Sequence, residues 1–208
     1  MKTITKITIG FSAAVVLAGC AVTPDYNKMT VDMLKRSFET KHIATVDRLN
    51  QDEVNRVCSD VDMTGKDVDP AVRKRLEAAQ LAAIKYPADG KFLGDWKKAE
   101  KIAQSGNGLT WKVLKAGTPN GGNCYNCHQI TKEEISYGSI GPSLYQYGKL
   151  RGNSEAVLKY TWGKLYNAKA YNLCSNMPRF GHAEILTDDQ MKDLMAYLLD
   201  PNSPVNKN

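Results

Sequence analysis

Asn123-Cys124-Tyr125-Asn126-Cys127-His128 is the stretch around which the other 202 of 208 residues fall into place. Two thiols three residues apart, followed at once by an imidazole, form the Cys-x-x-Cys-His signature of covalent haem attachment. Such thiols reach the two vinyl groups of one haem as thioethers, and the adjacent imidazole then lies beneath the iron. Cys124 and Cys127 are therefore the candidate thioether residues and His128 the candidate proximal ligand. One motif implies one covalent haem c. Two other chemistries use Cys-x-x-Cys. A redox dithiol belongs in a thioredoxin-like strand–helix–strand pattern, which the flanks do not show. A zinc site needs a second close pair, and Cys20, Cys58 and Cys174 do not supply one.

Downstream lies Asn176-Met177-Pro178-Arg179-Phe180-Gly181-His182. Pro178 forces Met177 out of helical geometry, which suits a loop folding over a haem face. A thioether is a soft, neutral ligand that favours Fe(II) and raises the potential. Met177 is the candidate distal ligand, with core packing as its ordinary alternative. His182 is the rival ligand, and His42 reads as a surface histidine.

The surrounding segments predict an all-α fold. Asp95–Ser105 is amphipathic, with Trp96, Ala99, Ile102 and Ala103 on one face and Lys97, Lys98 and Lys101 on the other. Ser154–Leu165 reads as a further helix with Leu158, Thr161, Trp162 and Leu165 inward. Leu186-Thr187-Asp188-Asp189-Gln190-Met191 is a helix start with a Thr187–Gln190 capping box and a Leu186–Met191 staple. Helix, Cys-x-x-Cys-His, helix, methionine loop, helix is the order found in class I cytochromes c, which this half of the chain resembles. The resemblance implies that the first and last helices cross, with Ala99 and Tyr197 as contact residues. It also assigns Ile140-Gly141-Pro142-Ser143-Leu144 to the proximal loop, where the Pro142 carbonyl would accept the Nδ1–H of His128. Without the resemblance, Gly-Pro is a turn signal.

Residues 1–20 carry Lys2, Lys6, a short apolar run and Leu17-Ala18-Gly19-Cys20. This is an export signal, and the run is too short to span a bilayer. Leu-Ala-Gly-Cys also resembles a bacterial lipobox, in which Cys20 is acylated and begins the mature chain; ordinary cleavage nearby is the alternative. Either reading places the protein in the periplasm, tethered by its N-terminus if Cys20 carries lipid, where disulfides are permitted. Residues 21–90 read as a helical extension, and 91–208 as the haem domain. Asp69-Pro70 starts a helix with Val72, Leu76, Ala79 and Ala83 on one face. Weaker helical stretches cover Val31–Phe38 and Val46–Val57, and Tyr86–Gly90 marks the boundary with the haem domain. The extension is either packed on the haem domain or a docking surface. Cys58 and Cys174 remain as a disulfide that would clamp the segment before Met177, or as two buried thiols.

Hydrophobic content of 42% and charged content of 24% exclude a disordered chain and a polytopic membrane protein. A formal charge of +6 does not demand nucleic acid. Two of those charges leave with the signal. Residues 20–90 hold 11 basic and 12 acidic groups, whereas 91–208 hold 15 and 10. The excess sits on the haem domain, as suits an acidic redox partner, with an ordinary solvated surface as the alternative.

A closer resemblance covers residues 90–207. Gly94-Asp95-Trp96-Lys97-Lys98 with Lys101-Ile102-Ala103, Gly121-Gly122-Asn123 leading into the haem motif, and Ile140–Leu144 belong to it. So do Met177-Pro178-Arg179-Phe180-Gly181, Ala196–Pro201 and Ser203–Lys207. Together they resemble the SoxX cytochromes of bacterial sulfur oxidation, in their longer form with an N-terminal extension. Ala99 departs from the glycine that many relatives carry there. The resemblance implies a SoxAX heterodimer in which the SoxA subunit couples thiosulfate to a cysteine of the SoxYZ carrier. The SoxX subunit then passes the released electrons to a small cytochrome c or another acceptor. This chain supplies no sulfur-transfer nucleophile, so the bond chemistry is expected on SoxA. A free-standing electron carrier, and a haem enzyme or sensor with an open iron site, are the alternatives.

Overall fold

A computed structural model of the chain describes residues 24–108, 110–112 and 119–207. The export signal 1–20, with Cys20, lies outside the described residues. Among them the structure is all-helical, with seven α-helices and a single isolated bridge between Lys41 and Ala44. Two compact units divide the chain, Met1–Phe38 and Glu39–Asn208.

The first unit contributes α1 (Tyr26–Ser37), capped by the Asp25 side chain, which accepts from the Lys28 N–H. The helix starts five residues before the expected Val31 because Asp25 supplies this cap. None of its residues is buried.

The second unit is built on a helix crossing. α4 (Trp96–Gln104) packs most extensively against α7 (Asp188–Leu199). Ala99, Ala103, Met195 and Tyr197 are fully buried there. Small residues on α4 let the two backbones approach closely. At the entrance to α4, Gly94 donates its N–H to the Lys192 carbonyl, and the Asp95 N–H is held by the Asp193 carboxylate. A β-carbon on Gly94 would meet the Asp193 backbone and carboxylate, so only glycine fits. The Thr187–Gln190 capping box starts α7, with Leu186 and Met191 both buried beside it. Ser203 and Asn206 cap the other end: the Ser203 hydroxyl donates to the Tyr197 carbonyl, and Asn206 Nδ2 donates to the carbonyls of Leu198 and Asp200. These side chains satisfy carbonyls that the helix leaves unpaired.

α6 (Glu155–Tyr166) completes the main core with Trp162, which is fully buried and donates its indole N–H to the Lys85 carbonyl at 2.8 Å. Phe92 meets the same indole edge-on at 5.9 Å. A short helix, α5 (Tyr147–Arg151), precedes α6; its five residues carry too little periodicity to be read from sequence.

The extension packs on this core from residue 39 onward. α2 (Glu53–Thr64) and α3 (Pro70–Ala82) enclose a second, smaller cluster of Val54, Cys58, Val68, Leu76 and Leu173. The turn at Pro87–Gly90 therefore lies inside the unit that also contains residues 91–208. The stretch Val46–Val57, expected as one helical segment, is broken. A 3₁₀ turn covers Val46–Leu49, and α2 begins afresh where the Asp52 side chain accepts the Asn55 N–H. On α3 the expected face is narrower than the spacing suggests: Leu76 is buried while Ala79 is exposed. Gln80 instead accepts two bonds from the buried Asn167 amide.

Three links tie the extension to the loop before and after Met177. Cys58 and Cys174 form a disulfide with a Cα–Cα separation of 5.3 Å. Arg179, its side chain 14% exposed, pairs with Asp52 at 2.6 Å and also donates to Gln80 Oε1. Burial works to raise the Asp52 pKa, but the Asn55 N–H and the Arg179 guanidinium outweigh it and hold the carboxyl below its ordinary value.

The bridge closes a loop of over a hundred residues, so replacing both cysteines by serine should cost about 2–5 kcal/mol of stability, read as a lower urea midpoint. Asp52 is predicted to contribute stability in full above the ordinary carboxylate pKa of about 4 and to lose it as pH falls through the depressed value. Asp52→Asn should therefore be less stable than the wild type at neutral pH, with the gap closing in acid. Urea midpoints measured across pH check the sign; a gap that persists in acid contradicts it.

Candidate haem-binding site

The Cys-x-x-Cys-His turn is anchored to the end of α4. Gly122 donates to the Ile102 carbonyl at 2.7 Å and Asn123 to the Ser105 carbonyl at 3.0 Å. Asn123 takes the left-handed conformation, which asparagine tolerates better than most residues. A single 3₁₀ turn, Cys124–Asn126, follows, and both Cys127 and His128 donate to the Cys124 carbonyl. The turn brings two cysteines and one histidine onto one short stretch of backbone.

Cys124 and Cys127 are not bridged to each other. Cys124 packs against the main core, and burial pushes its thiol up to about 12. A thiol held protonated is a poor exchange nucleophile, which argues against a redox dithiol. Among the described residues no group of three or more His, Cys, Asp or Glu is placed to hold a metal ion, so the zinc alternative has no ligand set.

His128 is oriented by the loop that follows. Its Nδ1 lies 2.7 Å from the Pro142 carbonyl oxygen. A carbonyl only accepts, so Nδ1 carries the proton and Nε2 keeps its lone pair for a metal. Pro142 is held in place by neighbours on both sides. Gly141 donates to the Cys127 carbonyl at 2.8 Å and Leu144 to the Gln129 carbonyl at 2.7 Å, while the Ser143 hydroxyl donates to Gln129 Oε1. A β-carbon on Gly141 would fall 2.2 Å from the imidazole Cε1, so the backbone passes directly against the ring. This close approach explains the glycine, which the sequence marks only as half of a Gly-Pro turn.

Tyr125, between the two cysteines, is a functional residue that motif reading passes over. It is buried, and its hydroxyl lies 3.1 Å from that of Tyr197 on α7 and 3.2 Å from Thr131 Oγ1. Burial, with the Tyr125 hydroxyl beside it, raises the Tyr197 pKa above the usual phenol range. The attachment turn is thus fastened to both crossing helices, to α4 through its backbone and to α7 through a phenol pair. No local pattern announces this, because residues 125 and 197 meet only through the fold.

Met177 is half-buried against the main core. Its N–H is donated to the Ser175 hydroxyl, and the loop beyond it is laid along the end of α6 by bonds from Phe180 to the Leu165 carbonyl and from His182 to the Tyr166 carbonyl. The Cys58–Cys174 bridge and the Asp52–Arg179 pair hold the two sides of Met177 from outside. His182 and His42 are both exposed. A cavity of about 310 Å³ beside Lys85, Tyr166, Gly181 and Leu186 contains none of Cys124, Cys127, His128 or Met177 in its lining.

The residues present suit a covalently held haem: two unbridged thiols, an imidazole with a fixed tautomer, and a half-buried thioether on a braced loop. Residues 116–200 match the family model of cytochrome c. A protein of Aquifex aeolicus (strain VF5) named an uncharacterized lipoprotein is 39% identical over 158 residues, which cover 76% of this chain and 73% of that one. In a cytochrome c domain the pair Cys124 and Cys127 implies covalent haem c, and the chain is a cytochrome c domain protein with that domain in its C-terminal half.

Proposed function

We propose that this chain is a monohaem electron-transfer subunit of the SoxX type, held in the periplasm by a lipid on Cys20. Haem c, once attached, supplies a one-electron Fe(III)/Fe(II) couple. Cys124 and Cys127 would hold it as thioethers. His128 would bind the iron through Nε2, its basicity raised and its ring fixed by the bond from Nδ1–H to the Pro142 carbonyl. Met177 would offer its thioether to the iron from a loop braced by the Cys58–Cys174 bridge and the Asp52–Arg179 pair.

One observation carries the division of labour. Cys58 is bonded to Cys174, and Cys124 and Cys127 are the thioether residues, so no described cysteine is left to act on sulfur. Coupling a thiosulfate sulfur to a carrier cysteine forms one S–S bond and releases two electrons. On this reading the SoxA subunit forms that bond with the SoxYZ carrier, and the present chain takes the electrons singly and passes them to a small cytochrome c. The motifs shared with SoxX over residues 90–207 and the basic excess on residues 91–208 support the reading. The lipobox at Cys20 and the name of the Aquifex relative support the tether.

Purification of the tagged full-length holoprotein from its own host tests this. A second haem protein is expected in the eluate, and thiosulfate together with its carrier protein should reduce the haem of the complex. A chain that elutes alone and stays oxidised under thiosulfate is instead a free-standing carrier.

A further inference from the structure

We propose that α1 lies in the headgroup layer of the membrane to which the N-terminus is tethered, with its apolar face turned into the lipid. The inference rests on acylation of Cys20 as proposed above. At about 100° per residue, the charged residues Lys28, Asp32, Lys35 and Arg36 all fall within an arc of about 100° of the helix surface. The rest of the helix surface carries no charge: Tyr26, Met33 and Leu34 lie there with Thr30 and Ser37, and Met29 stands at its border beside Arg36. Tyr26 is 62% exposed, Met29 56% and Met33 55%.

Position decides what covers this face. Cys20 stands six residues before Tyr26, so even a fully extended connection keeps the start of α1 within about 20 Å of the lipid-bearing sulfur. A tether of that length lets α1 reach the headgroup layer. Twelve residues are too few to cross a bilayer, and no described helix is long and apolar enough to do so. A short amphipathic helix with a compact polar arc is suited to lying in the interface plane. Three basic residues against one acidic residue suit the anionic headgroups there.

Hydroxyl-radical footprinting of the acylated holoprotein in vesicles of phosphatidylethanolamine and phosphatidylglycerol tests the inference, with mass spectrometry of Met29, Met33 and Met63. Met63, on α2 and 67% exposed, is the internal reference. Methionine oxidation follows exposure, so Met33 should react roughly tenfold more slowly than Met63 at high lipid-to-protein ratio, and Met29, at the border of the face, should be slowed by less. Equal rates on a chain whose N-terminal peptide carries lipid overturn the inference and leave the tether standing. Protection that disappears as protein is diluted into more lipid assigns the face to a second copy and also overturns it. An N-terminal peptide without lipid removes the tether and the inference together.

Discussion

The bond from His128 Nδ1–H to the Pro142 carbonyl is the constraint on which the site depends. It joins the attachment turn to the loop fourteen residues later and decides which imidazole nitrogen is free. Its geometry requires a backbone lying flat against the ring, which Gly141 alone permits, and a proline whose carbonyl direction is set by a rigid φ. The Cys127 and Gln129 carbonyls then accept from residues on either side of Pro142, so the turn and the loop hold each other. Without that reciprocal arrangement, two cysteines and a histidine in sequence would be only a local turn.

The opposite side of the site is organised over much longer range. Met177 belongs to a loop with no regular structure, and its placement comes from elements that precede it in sequence. α6 accepts its backbone, α2 contributes Cys58, and Asp52, the residue that caps α2, takes Arg179. The extension from residue 39 onward is therefore a brace for the methionine loop. The crossing of α4 and α7 ties the two sides together, because α4 fixes the attachment turn and α7 meets it through the Tyr125–Tyr197 hydroxyl pair.

Much of this was legible in the residues themselves. Cys124, Cys127 and His128 form a motif whose spacing has a chemical reason, and the periodicities from Asp95 and Ser154 and the capping box at Thr187 mark helices whose starts the structure places within a residue. What stayed hidden depends on tertiary contact. The break at Asn50–Asp52 turns on Asp52 serving both as a cap and as the partner of Arg179, and only the first role is local. Tyr125, Gly94 and Gly141 matter through what lies across from them, at residues 197, 193 and 128. α1 is only partly legible for a different reason: its cap at Asp25 is a local signal, but none of its residues is buried, so no core face marks where it begins.

The central claim is that one covalent haem sits between His128 and Met177 and serves as an electron carrier. The most direct measurement is the optical spectrum of the oxidised holoprotein and of Met177→Ala. A six-coordinate low-spin iron with a far-red sulfur-to-iron charge-transfer band is expected in the wild type, and that band should vanish in the variant while the haem stays covalently bound. A band that survives the substitution, or a wild-type spectrum of an open five-coordinate iron, would contradict the account.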